Sequence, residues 1–220
     1  MKIAICMWYD EGVKHYADLC KELNESYCKN NGYTFIYSND RLLPDKLPHF
    51  ERYPLMLKYI KEYDWIMWID ADAFFYKDAR PLETVIEHIK FTHDSILSLN
   101  IRQMFSDNVP YYEINNGVFI LKNTNINIKF LERMINCNDI YEIAKKEHYV
   151  FDQAVFRYLY CENYNNFRGR SYVVNYGVLQ HFYKDEINYL SSKPFILHMA
   201  GGHQDRKKIV SEYKSNNYEN

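Results

Sequence analysis

An apolar run that ends in two acids constrains this sequence more than any other stretch. Residues 65–69 are uninterrupted and hydrophobic, and Asp70-Ala71-Asp72 follows them directly. A run of this length is consistent with a strand buried on both faces, although periodicity alone does not separate it from a segment of buried helix. Alternate side chains of an extended chain point the same way, so Asp70 and Asp72 can reach one point in space.

This pair of acids has a chemical explanation and a purely structural one. Two carboxylates at one point repel each other unless a cation lies between them, and oxygen ligands suit Mg²⁺ or Mn²⁺. An isolated Asp-x-Asp pair is more often a solvated strand end or a helix N-cap. The Trp-rich strand directly in front favours a held site, so the sequence predicts a divalent metal bound by Asp70 and Asp72.

Strand-like and helix-like patterns alternate along the chain. Residues 3–9 and 33–37 are typical of buried strands, and the apolar spacing between them predicts an amphipathic helix over 13–30. Asp10 can cap this helix, and Gly32 is placed to end it in a left-handed conformation. Further strands are expected at residues 65–69, 95–101, 118–121, 172–175 and 195–198, and further helices at 55–63, 81–90, 126–135, 152–160 and after 202.

The alternation predicts the fold class α/β, as a single Rossmann-like domain with a mainly parallel central sheet and helices on both faces. The domain is expected to cover residues 1–214, and residues 215–220 are expected to be a frayed tail. Ligands of such sheets bind beyond the carboxyl ends of the strands, where both acids lie. Neither G-x-G-x-x-G nor G-x-x-x-x-G-K-[ST] occurs, so a metal would have to hold the phosphates of a bound nucleotide.

Composition argues against several classes of partner. The net charge of −2 gives no electrostatic case for binding nucleic acid or an anionic membrane surface. The five cysteines form no Cys-x-x-Cys pair and are typical of free thiols in a reducing compartment. The sequence has no signal peptide and no apolar run near the length of a membrane span, so a soluble, cytoplasmic protein is expected.

Four segments, taken in order, carry a resemblance to a known family. They are Trp65 to Ala73, Asn115 to Asn123, Phe151 to Ala154 and Phe195 to Gly201. With them the chain resembles the GT-A glycosyltransferases. It is most similar to the retaining enzymes of family 34, which include α-galactosyl-, α-mannosyl- and xyloglucan xylosyltransferases. The resemblance covers nearly the whole chain.

The resemblance implies a metal site near the donor diphosphate. Asp70, Asp72 and His198 match the ligands of a Mn²⁺ ion that bridges this diphosphate. A histidine at a strand end is more often a hydrogen-bonded structural residue, but Gly201-Gly202 beside it favours the metal role for His198.

The resemblance also implies contacts to the nucleotide itself. Gly201 matches a glycine whose backbone approaches the phosphates. This chain departs from the family pattern directly after Gly201. His203, Arg206 and Lys207 are therefore the candidates for the cation that contacts the phosphates. Tyr9, at the end of the first strand, is a further candidate for nucleotide binding.

Four more residues are implied at the sugar. Asn115 and Gly117 match an Asn-x-Gly turn that lines the donor sugar and the acceptor, although an ordinary turn explains them as well. Asp152 and Gln153 match a pair that faces the transferred sugar. Asp152 is a candidate nucleophile, and it can also be the N-cap of a helix.

The function implied is that of a retaining, metal-dependent glycosyltransferase. The donor would be a UDP-sugar such as UDP-galactose, UDP-glucose or UDP-xylose, and the acceptor a glycan or another hydroxyl compound. The alternatives are a GDP-mannose-dependent mannosyltransferase of the same fold, a non-catalytic nucleotide-sugar-binding protein and a metal-dependent phosphohydrolase. The chain lacks the N-terminal membrane anchor of the eukaryotic relatives, so a bacterial or viral enzyme is expected.

Overall fold

Two sheets and seven α-helices lie in the part of the chain that the computed structural model describes, namely residues 1–99, 114–147, 151–183, 195–201 and 205–218. The strands are β1 (Ile3–Trp8), β2 (Thr34–Ser38), β3 (Trp65–Ile69), β4 (Ala73–Phe75), β5 (Ser95–Leu99), β6 (Ile114–Lys122), β7 (Ser171–Val174), β8 (Gln180–Phe182) and β9 (Ile196–His198). The helices are α1 (Lys14–Asn31), α2 (Arg52–Tyr59), α3 (Glu83–Ile89), α4 (Asn125–Ile135), α5 (Asn138–Glu147), α6 (Phe151–Cys161) and α7 (Arg206–Tyr218).

The central sheet has six strands in the order β2-β1-β3-β6-β5-β7. Strand β1 pairs in parallel with β2 and β3, and β5 pairs in parallel with β7. Strand β6 runs antiparallel to both of its neighbours, β3 and β5. The predicted α/β class with a mainly parallel sheet is therefore confirmed, with one reversed strand in the middle.

Strand β3 lies between β1 and β6 and is buried along its whole length. Its side chains at positions 65, 67 and 69 join the core that α1, α3 and α7 cover, and those at 66 and 68 join the core under α2, α4 and α6. Burial on both faces is the physical reason for the uninterrupted apolar run. The prediction of helices on both faces is confirmed as well.

A second, three-stranded sheet was not predicted from the sequence. Its order is β4-β9-β8, and β4 pairs with β9 in antiparallel register, with Ala73 opposite His198. Of its strands, β9 corresponds to the strand predicted at 195–198, whereas β4 and β8 were not predicted, because strands of three residues are too short to show a period-two pattern. The pairing matters because it carries His198 back to the end of β3.

Two local predictions differ from the structure. Residues 115–117 do not form a turn. They lie inside β6, where a register shift between Leu97 and Ser98 on β5 makes a β-bulge. Asp10 does not cap α1, whose N-cap is Val13; instead the Asp10 carboxylate accepts a hydrogen bond from the Gly12 amide (3.0 Å).

The other predicted helices are present with shifted ends: α2 covers 52–59 where 55–63 was predicted, and α3 covers 83–89 where 81–90 was predicted. Gly32 ends α1 with a φ of 71°, as predicted. Helix α5 was not predicted, and residues 215–218, expected to fray, form the last part of α7. None of the described helices combines the length and the hydropathy needed to cross a membrane. The domain boundaries stay a prediction.

Candidate active site

Three residues that the sequence nominated as metal ligands meet beyond the end of β3. Asp70 follows β3, Asp72 precedes β4 and His198 ends β9. Each offers one ligand atom, and these atoms all lie within 4.8 Å of one another. His198 Nε2 is 3.2 Å from Asp72 Oδ1 and 3.8 Å from Asp70 Oδ2. We call these three residues the Asp-Asp-His cluster.

Arginines hold the other oxygen of each carboxylate in the cluster. Arg52 places a guanidinium nitrogen 3.1 Å from Asp70 Oδ1, and the Trp68 indole donates to the same oxygen (2.6 Å). Arg206 Nε donates to Asp72 Oδ2 (3.0 Å). Each carboxylate therefore turns its remaining oxygen toward His198, so that two oxygens and one imidazole nitrogen converge.

The donor set fits a divalent cation such as Mn²⁺. Carboxylate oxygen and imidazole nitrogen are both among the ligands that bind this class of ion. His198 Nδ1 is 2.7 Å from Gln180 Oε1, and Gln180 Nε2 donates to Asn115 Oδ1 (3.0 Å). Because an amide oxygen can only accept, Gln180 Oε1 accepts a hydrogen bond from His198 Nδ1–H, and in the neutral imidazole the Nε2 lone pair then faces the carboxylates.

Gly117 is the residue of β6 that allows this convergence. A Cβ atom at this position would lie 2.3 Å from His198 Cε1 and 2.8 Å from Asp70 Oδ2. The Gly117 carbonyl also accepts the Asp70 amide (2.9 Å), which fixes the backbone at the end of β3. Any side chain here would therefore push apart two of the three residues in the cluster.

The ionisation of the cluster reflects burial and its own charges. Burial raises the pKa of Asp70, and Arg52 and His198 only partly oppose this. Burial also acts to raise the pKa of Asp72, but His198 and Arg206 outweigh it and the pKa is lowered. Burial alone would lower the pKa of His198, whereas the charge of Asp72 raises it further than burial lowers it. Against burial, His198 and Asp72 thus shift each other's pKa in the directions that favour their charged forms.

The cluster borders a cavity of about 380 Å³. Tyr9, Asp10 and Tyr16 line one part of it, and Arg206 lies beside the two acids. The Tyr9 hydroxyl donates a hydrogen bond to Asp18 (2.5 Å). This bond fixes the orientation of Tyr9, which the sequence predicts to contact the nucleotide. The volume is within the range of small-molecule sites, and both arginines that hold the cluster line it.

Asp152, by contrast, lies behind the cluster. It is 2% exposed and does not line the cavity. Its Oδ2 accepts hydrogen bonds from the Tyr53 hydroxyl (2.5 Å) and from Nδ2 of the Asn116 side chain (2.7 Å), and Arg52 Nε is 3.3 Å away. We call these four residues the Asp152 network. Because α6 begins at Phe151, Asp152 lies inside its first turn.

The other nominated residues are placed as follows. Gln153 lies beside β6, where its Oε1 accepts a hydrogen bond from the backbone amide of Asn116 (3.3 Å). Gly201 has a φ of 101°, a conformation that favours glycine, and its carbonyl accepts a hydrogen bond from Arg206 (2.6 Å). His203 lies outside the described residues.

Sequence reasoning missed two residues that organise the site. Arg52 links Asp70 to Asp152 and is 5% exposed, and its only sequence signal is a lone cation in an aromatic stretch. Gln180 orients His198 from a three-residue strand. Neither residue carries a motif, because its role depends on neighbours that are distant in the chain.

Comparisons with known proteins identify a family and a fold. The model of the galactosyl transferase GMA12/MNN10 family matches residues 4–208. No curated protein matches the sequence. The chain is similar to a crystallised glycosyltransferase involved in glycosylation of the major capsid of PBCV-1, at 19% identity and a TM-score of 0.75, over 96% of this chain and 100% of that one.

Two further solved structures have the same fold at lower similarity. The galactosyltransferase LgtC, crystallised with donor and acceptor sugar analogs, is 14% identical with a TM-score of 0.61, over 98% of this chain and 96% of that one. The apo form of the glycosyltransferase GlyE from Streptococcus pneumoniae TIGR4 is 13% identical with a TM-score of 0.59, over 97% of this chain and 60% of that one. At these identities the likeness concerns the fold alone.

Proposed function

The chain belongs to the galactosyl transferase GMA12/MNN10 family, and on that premise we propose that it is a metal-dependent, retaining glycosyltransferase that uses a UDP-sugar such as UDP-galactose, UDP-glucose or UDP-xylose. The acceptor is a hydroxyl group of a glycan or a similar compound. The observation that carries the proposal is the convergence of Asp70, Asp72 and His198 beside the cavity, with the outer oxygens of both acids held by arginines.

Asp70, Asp72 and His198 would hold the divalent cation. When bound, such a cation acts as a Lewis acid that stabilises the negative charge on a departing diphosphate. Arg206 lines the same cavity and offers a second positive charge to the phosphates. The Gly201 carbonyl fixes the guanidinium of Arg206, which supports the predicted role of this glycine near the phosphates.

For Asp152 the burial favours a positioning role. A nucleophile must reach the anomeric carbon of the sugar, whereas Asp152 is enclosed by Tyr53, Asn116 and Arg52. Arg52 bonds both Asp152 and Asp70, so the Asp152 network sets the place of one metal ligand. We propose that Asp152 acts through Arg52, and that Gln153, beside β6, is the residue of the pair closer to the transferred sugar.

A screen of nucleotide sugars tests the function. Purified protein is incubated with UDP-galactose, UDP-glucose, UDP-xylose or GDP-mannose, each with Mn²⁺, Mg²⁺ or EDTA, and release of the nucleoside diphosphate is measured. We expect release from a UDP-sugar that requires Mn²⁺ or Mg²⁺ and stops with EDTA. Preference for GDP-mannose would assign the alternative donor.

Two results would contradict the proposal. One is the absence of turnover with every donor despite tight nucleotide binding, which would indicate a binding protein. The other is release that persists in EDTA, because the Asp-Asp-His cluster would then have no metal to hold during the reaction.

A further inference from the structure

Two exposed aromatic side chains stack on each other at the edge of the cavity. The rings of His49 and Phe151 are 4.3 Å apart and inclined by only 15°. His49 lines the cavity, and Phe151 is 44% exposed. We call these two residues the aromatic pair. An exposed phenylalanine ring gains little stability from burial, so this arrangement calls for another explanation.

The backbone conformation of Phe151 is also unusual for a residue with an exposed aromatic ring. Its φ of 62° is in the left-handed region, which is disfavoured for a bulky side chain and suits glycine or asparagine. Strained residues of this kind cluster at functional sites, where the surrounding structure holds them in place. A phenylalanine at this position therefore keeps its ring against a backbone preference for a smaller residue.

The Asp152 network holds both members of the aromatic pair. The His49 carbonyl accepts a hydrogen bond from Arg52 Nε (3.0 Å), and that nitrogen is 3.3 Å from Asp152, the residue after Phe151. Arg52 also contacts Asp70 in the Asp-Asp-His cluster. The aromatic pair is thus fixed relative to the cation site through a single buried arginine.

Phe151, one member of the aromatic pair, lies toward the β6 side of the cavity, whereas His49 precedes α2, which packs against β1 and β3. Phe151 begins α6, which packs against β6, and Gln153 on the same helix accepts the Asn116 amide of β6. Tyr9 and Asp10 follow β1, on the opposite side of β3 in the sheet. A nucleotide bound at the β1 side, with its diphosphate at the acids, would leave the β6 side for the sugar and for what receives it.

We propose that the aromatic pair is a stacking platform for the acceptor sugar ring, and that it makes the enzyme select acceptors with a ring over small alcohols. The proposal rests on the proposed function, because it places the acceptor by reference to a nucleotide-sugar donor. The C–H groups on one face of a pyranose are apolar and pack on an aromatic surface, while the hydroxyl groups at its edge remain free to react.

Saturation-transfer NMR tests the platform without requiring turnover. The ligands are the methyl α- and β-glycosides of glucose, galactose, mannose and xylose, offered to the protein with UDP and Mn²⁺. Four variants are compared with the unmodified chain: Phe151→Gly, His49→Ala, Phe151→Tyr and Phe91→Ala. Phe91→Ala is the matched control, because Phe91 is 85% exposed and does not line the cavity.

We expect saturation transfer to at least one glycoside, reduced about fivefold in Phe151→Gly and His49→Ala, since aromatic contacts of this size change affinity by roughly that factor. Phe151→Tyr keeps a ring and should retain the signal, as should Phe91→Ala. Phe151→Gly should unfold within about 3 °C of the unmodified protein, because the glycine relieves the strained φ as it removes the ring.

Donor kinetics separate this proposal from the proposed function. Hydrolysis of the donor without acceptor should be unchanged in Phe151→Gly, while the KM for the best glycoside rises about fivefold. An equal rise in the KM for the donor would overturn the proposal and assign the aromatic pair to the nucleotide. Saturation transfer that is absent from the unmodified protein, or that all variants retain, would overturn it too. Donor turnover that fails while the glycosides still bind contradicts the proposed function and leaves the platform supported.

Discussion

The Asp-Asp-His cluster and the Asp152 network both set carboxylates against arginine, but only the cluster opens to the cavity. The side chains of Asp70 and Asp72 are 24% and 16% exposed, whereas that of Asp152 is 3% exposed. Asp152 finds all its donors inside the fold, while each acid of the cluster turns one oxygen toward His198. The comparison predicts that the acids of the cluster bind a ligand from the cavity, whereas Asp152 positions its neighbours.

The largest effect is expected on donor turnover, when an acid of the Asp-Asp-His cluster is replaced. Asp72→Asn should lower metal-dependent donor turnover by roughly a thousandfold, because a Lewis-acid metal contributes several kcal/mol to the reaction. The variant should remain folded, since Asp72 is partly solvated. Turnover and circular dichroism are measured side by side, with the exposed Asp45→Asn as the control. Unchanged turnover would remove Asp72 from the site.

For the enclosed acid, Asp152, the larger effect should be on the free energy of unfolding. Asp152→Ala leaves Arg52 without one of its two carboxylate partners, and breaking a buried ion pair in this way costs about 3–5 kcal/mol. Urea denaturation measures this loss of unfolding free energy, and Asp72→Asn is the comparison, with a smaller loss expected. If Asp152→Ala abolishes transfer while its stability and its Mn²⁺ affinity are unchanged, Asp152 does not act by positioning Asp70 through Arg52.

A smaller effect is expected from the residue that orients His198. Gln180→Leu removes the acceptor of the Nδ1 proton, and loss of such a partner typically weakens metal binding about 10- to 100-fold. Titration of Mn²⁺ by electron paramagnetic resonance measures it. Gln180→Glu keeps an acceptor oxygen and should bind Mn²⁺ more tightly than Gln180→Leu. Equal affinity in the two variants would show that Gln180 does not act through the proton.

The smallest effect is expected when the pH is changed, which should alter Mn²⁺ affinity and the stability of the metal-free protein. The pKa of His198 is raised above 6.5, because Asp72 and Asp70 outweigh burial, and a metal requires the neutral imidazole. Mn²⁺ affinity should therefore fall about tenfold per pH unit below this raised pKa. The linkage for metal-free protein has the opposite sign: the stabilisation from His198 is complete below pH 6.5 and is lost as pH rises through the folded-state pKa.

Comparison with His198→Asn isolates these trends from other titrations. The difference in thermal unfolding between the metal-free proteins should shrink above pH 6.5, while the unmodified chain gains Mn²⁺ affinity over the same interval. Parallel trends in both proteins would mean that another group titrates, and that the cluster does not couple His198 to the acids.

Much of the fold followed from sequence because it is written in local patterns. The run at 65–69 is a buried strand with acids at its end, and Gly32 ends α1 in the left-handed conformation. The predicted turn at 115–117 was wrong because these residues belong to β6, which pairs with β5 across a β-bulge. The three-residue strands of the second sheet show no periodicity, so their pairing could not be predicted.

The candidate site was predictable only in part. The two acids came from spacing, whereas His198 entered through a family resemblance and not through any pattern of its own. The roles of Arg52, Gln180 and the aromatic pair were not predicted, because each acts by contact with a residue far away in the chain.

The sequence by itself determined that a buried strand would end at Asp70 and Asp72, since an apolar run followed by acids is a local pattern. The extended chain expected through the two acids is instead a turn, in which the Ala73 amide donates to the Asp70 carbonyl (3.0 Å). Only the tertiary structure decided which acid meets a cavity and which is enclosed. Exposure of a carboxylate depends on what packs around it: β9 brings His198 to the two acids, and α2 carries Arg52 between Asp70 and Asp152. Those neighbours are assembled by long-range packing, and no local pattern records them.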